Sequence, residues 1–499
     1  MAETVALSVS FNDLPTTVRV PGQYMEIDNS NASSSSAVWY KLLILGQMLP
    51  TGTAEPLVPV QITSGKSQAD TLFGQGSMLS NMVAAATTAN NYTETWALPV
   101  EDNSAGAVAS GAVTYAGTAT VAGTATLYVG GVTVQAAVAL GQTAAETAAL
   151  MVEAIADAPD LPVTAAVDAT NSAKVVITAR HKGVDAGRID LRTTYYTGDA
   201  MPAGLSATIT AMAGGAANPS QTAVIAAISE DWYHIFAQPW TDSASLSAWA
   251  TELARRFGPL VQMDGRAISC TSGSVGTLAT FGAALDSPHL VCPGGAGSSY
   301  PNPDFVRTAV WSAIVAYYQA IDPARPLQTL KLTGILAPAR ADRFTWVNRN
   351  ALLHDGIATE KIATDGMVMI ERAVTTYRTN AYGRDDTSYL DTETMGVIAY
   401  LRYSWPERMA QKFSRMKLAD DGTTYPAGQA IVTPSIIGKE QIAWFIEMMN
   451  LGYVEDLAQF KKDQVVVRNA SDRSRVDSLI PTHLVSGLRV LAGKLRFLL

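Results

Sequence analysis

Two cysteines and five histidines in 499 residues leave little material for disulfide or metal chemistry. Cys270 and Cys292 are too few for a disulfide framework and suggest a reducing compartment. The histidines are scattered, without the paired spacing that zinc sites use. Charge is scarce too. Only 16% of residues are Asp, Glu, Lys or Arg against 48% hydrophobic, which suits a subunit that buries much of its surface against copies of itself. A net charge of −9 disfavours nucleic-acid binding. No apolar run approaches the roughly 18 residues needed to span a bilayer, and Met1-Ala2-Glu3-Thr4 lacks the basic start of a secretory signal. No cofactor, metal, nucleic acid or membrane insertion is therefore expected.

What is present is concentrated at the two ends. Val5, Leu7, Val9 and Phe11 alternate with small or polar residues, and Thr17-Val18-Arg19-Val20 resumes extended structure before Pro21-Gly22. At the other end, Val465 and Val467 lie in a β-branched run, Gln464–Arg468, followed by a polar turn over 469–475. In the last segment Leu488, Val490 and Ala492 alternate, and the phase then slips at Gly493 to Leu495, Phe497 and Leu499. This pattern predicts one bulged strand. A terminal strand without a partner leaves a row of backbone donors and acceptors open. The two ends can pair within one molecule or between molecules, and periodicity does not choose. From Lys461 onward eight Lys and Arg face three Asp, a local excess of positive charge in an acidic chain. It reads either as solubilising charge or as a basic surface for an acidic partner.

The length calls for several domains. An N-terminal arm over 1–22 leads into the first part of a body over 23–103, with strands near Trp39–Gly46, Pro59–Ile62 and Trp96–Val100. Helices are expected at Ser67–Phe73 and Ser77–Asn90. Residues 104–218 turn Ala-, Gly-, Thr- and Val-rich, and read as an inserted α+β module facing outward. It holds a hairpin around Gly130-Gly131 and a helix opened by the capping box Thr143-Ala144-Ala145-Glu146. Strands follow at Val163–Val167, Lys174–Ala179, Arg188–Arg192 and Leu205–Ala211. The α/β part of the body, 219–340, alternates strands at Tyr233–Pro239, Arg266–Cys270 and His289–Cys292 with helices, which suggests a parallel layer. Residues 341–499 form a C-terminal core with the strand-bearing tail. The fold class is thus α+β / α/β multidomain: mixed sheets with flanking helices, the insertion, and terminal strands that pair either within one molecule or, by exchange, between subunits.

Motifs that carry chemistry fail one by one. Gly65-Lys66-Ser67 resembles the end of a phosphate loop, but Val60 stands where the first glycine belongs. Thr271–Gly276 joins a strand to a helix, where phosphate often sits, yet tight turns use the same residues. Gly294-Gly295-Ala296-Gly297 lacks dinucleotide spacing. Asp385, Asp386, Asp391 and Glu393 form the densest carboxylate cluster and read as a solvated loop. No catalytic residue is expected.

The chain resembles the tail sheath proteins of contractile bacteriophages, in their Mu-like branch. The resemblance rests on Phe11–Pro15, Val18–Asn31, Phe73–Ser77, Ser478–Pro481 and Leu488–Lys494, in that order along the chain. It implies a non-enzymatic subunit of stacked hexameric rings around a tail tube, shortening to drive the tube through the host envelope. It also implies contacts with the tube protein, baseplate and tail terminator, assembly in the host cytoplasm, and a place in the virion. Strands carrying Val5, Leu7, Val9, Val18, Val20, Val465, Val467, Leu488, Val490, Leu495 and Phe497 would be exchanged between subunits. Helix Ile436–Leu451 resembles the tube-attachment helix of related sheaths, which makes Lys461 and Lys462 tube-facing. The alternatives are another structural protein of a phage tail or injection system, and an enzyme built on the α/β layer.

Overall fold

A computed structural model describes residues 40–196, 198–296, 300–422, 425–426 and 428–497. The N-terminal strands expected at Val5–Phe11 and Thr17–Val20 lie outside the described residues.

The first body segment runs β1 (Lys41–Gln47), β2 (Val60–Ile62), α1 (Gly65–Phe73), α2 (Met78–Ala89) and β3 (Glu94–Val100). The insertion follows as β4 (Val108–Gly117), β5 (Gly123–Val129), β6 (Val132–Val138), α3 (Ala144–Ala156), β7 (Val163–Val167), β8 (Lys174–Lys182), β9 (Leu191–Arg192) and β10 (Leu205–Ala213). Back in the body come α4 (Gln221–Ala227), β11 (Ile235–Ala237), α5 (Ser243–Phe257), β12 (Arg266–Ile268), β13 (Thr271–Gly273), α6 (Val275–Ala283), β14 (Leu290–Ala296) and α7 (Asp304–Ile321). Then follow α8 (Trp346–His354), β15 (Ile357–Ile362), β16 (Val368–Arg372) and α9 (Thr392–Phe413). The C-terminal part ends with β17 (Lys417–Leu418), β18 (Ile431–Val432), α10 (Pro434–Asn450), β19 (Val454–Glu455), α11 (Leu457–Asp463), β20 (Val465–Arg468), β21 (Val476–Leu479) and β22 (His483–Leu484).

The body is built on a nine-stranded sheet in the order β16-β15-β14-β12-β11-β1-β3-β2, with β13 also pairing β14. Its centre is parallel, as the strand–helix alternation predicts, and each edge strand is antiparallel. Leu42 to Leu45 of β1 are buried on both faces, as parallel strands covered by helices must be. Leu43 and Leu45 join Trp240, Trp249 and Leu253 in the core beneath α4 and α5. By strand alternation Leu42 and Ile44 face the opposite layer, where α2 and α7 pack together and touch β1. Helix α7 is buried around most of its circumference from Asp304 to Ala316, the environment its all-round apolar sequence predicts. A second core, around Trp444, Phe445, Met448 and Phe460, joins α9, α10 and α11.

In the insertion, β10-β4-β8-β7 form an antiparallel sheet, β6-β5-β9 form a smaller one, and α3 packs against both. The Gly130-Gly131 turn has φ of 56° and 84°, the left-handed pair that a two-residue hairpin needs. Thr143 and Glu146 make the reciprocal bonds of the capping box. Sequence periodicity misses β4, whose buried face is carried partly by Ala109 and Ala112, and it misses α4. Arg188–Arg192 is not a full strand. The 3₁₀ turn Asp185–Arg188 takes its first part, leaving two residues for β9.

The C-terminal tail departs most from expectation. Gln464–Arg468 does form a strand, β20, and it pairs with β21 in the same chain through the polar turn. Residues 488–497, expected as a bulged strand, carry no regular secondary structure. Among the described residues they meet no strand that would close a ladder.

Candidate assembly surface

In an open parallel sheet, ligands bind where the strand order reverses, beyond the carboxyl ends of the strands. Here the chain runs from β1 to β3 on one side and returns to β11 on the other, so that crevice lies between β1 and β11. The insertion occupies it. Buried Gln47, at the end of β1, donates to Asp102 Oδ1 at 2.6 Å and to the Lys182 carbonyl at 2.8 Å. The Lys182 amide donates to Asp102 Oδ2 at 3.0 Å. His181 accepts from the Met78 amide through Nε2 at 3.0 Å, which leaves Nδ1–H to donate to Asp102 at 2.9 Å. Burial would raise the Asp102 carboxyl, but the bonds from His181, Lys182 and Gln47 outweigh it and hold the group below its ordinary value. Next to this, Asn218 bridges Asp185 and Asp242 at 3.0 and 2.7 Å.

The glycine pair within β14 has a structural partner as well. Arg307 lies fully buried against the strand, and a Cβ on Gly295 would sit 2.5 Å from its Nη1. The guanidinium donates to Asp304 at 2.7 Å and Glu360 at 3.0 Å, and stacks 4.0 Å from the Tyr300 ring centroid. Tyr300 and Trp311 also donate to Glu360. Ser272, in β13, donates to Asp304, while Ser274 caps α6 by accepting from Thr277 N. Lys66 pairs with Asp70 and with Asp160 of the insertion. A cleft of about 530 Å³ remains between the insertion and these strand ends, and the charges on its wall pair with each other, Arg188 with Asp304 and Arg192 with Asp190. Cys270 and Cys292 are fully buried, and burial pushes the Cys292 thiol up to about 12 and Cys270 well above its usual value. Among the described residues no group of three or more His, Cys, Asp and Glu could hold a metal.

The carboxylate cluster is not one solvated loop. Asp386 does accept locally, from Tyr377 and Ser388. Asp391, however, takes both nitrogens of Arg372 at 2.9 and 3.0 Å, and buried Glu393 lies 2.9 Å from Arg489. Sequence spacing conceals this, because Arg489 is almost a hundred residues downstream.

Exposed apolar side chains such as Tyr92, Leu260, Trp346 and Tyr382 are scattered over the chain, and the longest run of them lies at the C-terminus. Val465 and Val467 share one face of β20, turned outward with Leu479 of β21, while Val466 faces Gly438 of α10. Leu488, Val490, Leu495 and Phe497 are 72–91% exposed, and Leu491, absent from the alternating set, is 89% exposed. Lys461 and Lys462 occupy the exposed last turn of α11. The basic excess of the tail is partly spent inside the chain: Arg468 and Arg473 pair with Asp420, Arg475 with Asp477, and Arg489 with Asp391 and Glu393. Lys461, Lys462, Lys494 and Arg496 have no ionic partner among the described residues.

Residues 214–376 match the phage tail sheath protein central domain, and residues 384–497 match the phage tail sheath C-terminal domain. The class is that of phage tail sheath proteins. Along nearly its whole length the chain is also similar to the Mu-like prophage FluMu tail sheath protein of Haemophilus influenzae, 40% identical over 494 residues, 99% of this chain and 100% of that protein. The chain belongs to the Mu-like branch of the contractile phage tail sheath family, as a structural component of the virion tail. Among solved structures, a sheath tail protein from Listeria innocua gives a TM-score of 0.48 at 11% identity, covering 89% of this chain and 92% of that one. A chain of the anti-feeding prophage baseplate gives 0.47 at 11% identity, covering 97% and 100%.

Proposed function

We propose that this subunit polymerises as stacked hexameric rings around a tail tube, and that the polymer contracts to drive the tube through the host envelope. The observation that carries the reading is the row of exposed apolar side chains from Leu488 to Phe497, beside the outward valine face of β20. The tail segment joins the edge of a neighbour's β20–β21 hairpin, and an N-terminal strand, Val5–Phe11 with Val5, Leu7 and Val9 or Thr17–Val20 with Val18 and Val20, does the same from another copy. Each backbone hydrogen bond in such a ladder is worth about 0.5–1.5 kcal/mol net, so five or six of them outweigh an exposed ion pair. The ladder moves with the arm, and the link therefore persists while subunit bodies rotate.

Lys461 and Lys462 face the tube. Contacts between exposed charges contribute about 0–1 kcal/mol each, weak enough to release and additive over a ring. Baseplate and tail terminator bound the polymer, which assembles in the host cytoplasm without nucleic acid, membrane insertion or enzymatic activity. Residues 104–218 face outward from the tube. Deleting residues 2–20 or ending the chain before Val485 tests the exchange. Folded protein that no longer forms tubes in negative-stain images supports exchange, whereas a lowered melting temperature of the monomer points to pairing within one chain. Charge reversal at Lys461 and Lys462 should weaken co-assembly with tube and spare sheath self-assembly. Unchanged tube binding across a range of salt removes that role.

A further inference from the structure

The tail does not become free gradually. Val485 N still donates to the Tyr453 carbonyl at 3.1 Å, extending the β19–β22 ribbon. Gly487 lies so close to Pro326 that a Cβ there would meet its Cγ at 2.6 Å. The Leu488 carbonyl accepts from Gln328 Nε2 at 3.4 Å, although the Leu488 side chain is 72% exposed. Then Arg489 turns inward with its side chain 14% exposed, its Nη2 2.9 Å from Glu393 and 3.3 Å from Asp391 and its Nη1 3.4 Å from Gln328. The next residue, Val490, is 80% exposed. Asp391 is shared with Arg372, so two carboxylates are balanced by two guanidiniums, one supplied by the tail. A largely buried ion pair is a poor source of stability but a good way to specify position, since the desolvation it costs is recovered only in one geometry.

We propose that Arg489, held by Asp391 and Glu393, is the clasp that fixes the root of the C-terminal arm, so that the arm leaves the body at one point. This rests on the reading that the arm pairs with a neighbouring copy. The pivot of the arm then lies beyond Arg489 and not in the polar turn over 469–475. That turn is tied down: Asn469 Oδ1 accepts from the Ser471 and Asp472 amides at 2.9 Å, and Asn469 Nδ2 donates to Asp477. The movable part begins at Val490. Arg489 is a positioning residue, and losing it lets the arm leave the body in many directions, which makes each link entropically costlier.

Both native cysteines are buried, so a cysteine introduced at exposed Ser486 can be spin-labelled selectively in the full chain. In dilute, unpolymerised protein the label should be restrained, and Arg489→Ala should release it at temperatures well below the melting transition, which itself falls because Glu393 stays buried without its cation. The same substitution should raise the critical concentration for polymer formation about tenfold, the equivalent of about 1.4 kcal/mol. Arg489→Lys should fall between the two, because lysine keeps the charge but loses the planar fork. A label as restrained in Arg489→Ala as in the parent chain overturns the clasp, and so does an unchanged critical concentration with the label released. Removing 490–499 separates the two readings. Loss of polymer supports exchange, whereas polymer as abundant as from the full chain overturns the exchange reading and leaves the label to judge the clasp alone.

Discussion

The carboxyl end of the body sheet and the C-terminal tail are opposites. At the sheet, Gln47, His181, Asp102, Arg188 and Arg307 meet partners in the same chain, and the crevice that the strand order opens is filled by the insertion. At the tail, three two-stranded ribbons, β17–β18, β19–β22 and β20–β21, gain no further strand among the described residues, and apolar side chains are exposed. The difference separates what a subunit settles alone from what it leaves to its neighbours. Within the body, buried polar groups pair inside the chain and fix the position of its elements; the surface proposed for assembly is instead rich in exposed apolar side chains.

The contrast can be attacked from either side, and four substitutions rank by their effect on the single chain. Replacing residues 104–218 with a Gly/Ser linker should have the largest effect. Buried Gln47, the Met78 amide and buried Asp304 would lose partners, at about 1–3 kcal/mol for each polar group left unsatisfied. The body should then fail to unfold as one cooperative transition in calorimetry. An insertion whose pattern alone suggests self-sufficiency is thus expected to be needed by its host. Arg307→Ala comes next, with a loss of about 3–5 kcal/mol by denaturant titration, because Asp304 and Glu360 would remain buried without their cation.

Third is acidity. Burial, with Arg266 nearby, holds His234 down to about 3 and His289 to about 4. In the unfolded chain both take up protons below about 6.5. Their contribution is therefore complete above pH 6.5 and is lost as the pH falls toward those folded values. Asp185, raised to about 6 by burial, acts in the opposite sense, destabilising as the pH rises from its unfolded value toward 6. His289→Phe should flatten the decline between pH 6 and 4.5 by up to about 1.4 kcal/mol per pH unit, measured by unfolding at each pH. The smallest effect on the single chain belongs to Leu495→Ser with Phe497→Ser. Stability should stay within about 0.5 kcal/mol, as for most exposed sites, while tube formation is lost.

The parallel centre of the sheet, the buried α7 and the capping box at Thr143 are legible in the sequence because each has a local period or a fixed spacing. What local patterns miss is set by distant partners. Glycines at 294 and 295 look like a ligand loop until Arg307 is seen lying on them, and Asp391 and Glu393 look solvated until Arg489 arrives from the far end. The tail is a different case. Its alternation predicts a strand, but residues 488–497 carry no regular secondary structure and pair with no strand among the described residues. Strand β4 escapes because alanine and glycine fill positions where a pattern search looks for larger side chains.

The two ends of the insertion meet: Asn103 Nδ2 donates to the Asn218 carbonyl at 3.0 Å. This matters for the route by which the chain folds. Strands β1 and β11 are neighbours in the sheet although Leu42 and Ile235 are far apart in sequence, a separation that slows the search for a non-local pairing. Once residues 104–218 have collapsed, their ends are held side by side, and the loop that the sheet must close shrinks to the few elements between β1 and the junction. Closure cost grows only with the logarithm of loop length, yet it is met before any contact repays it. An insertion that folds first would act as an internal splint, shortening by more than half the loop that the β1–β11 pairing must close.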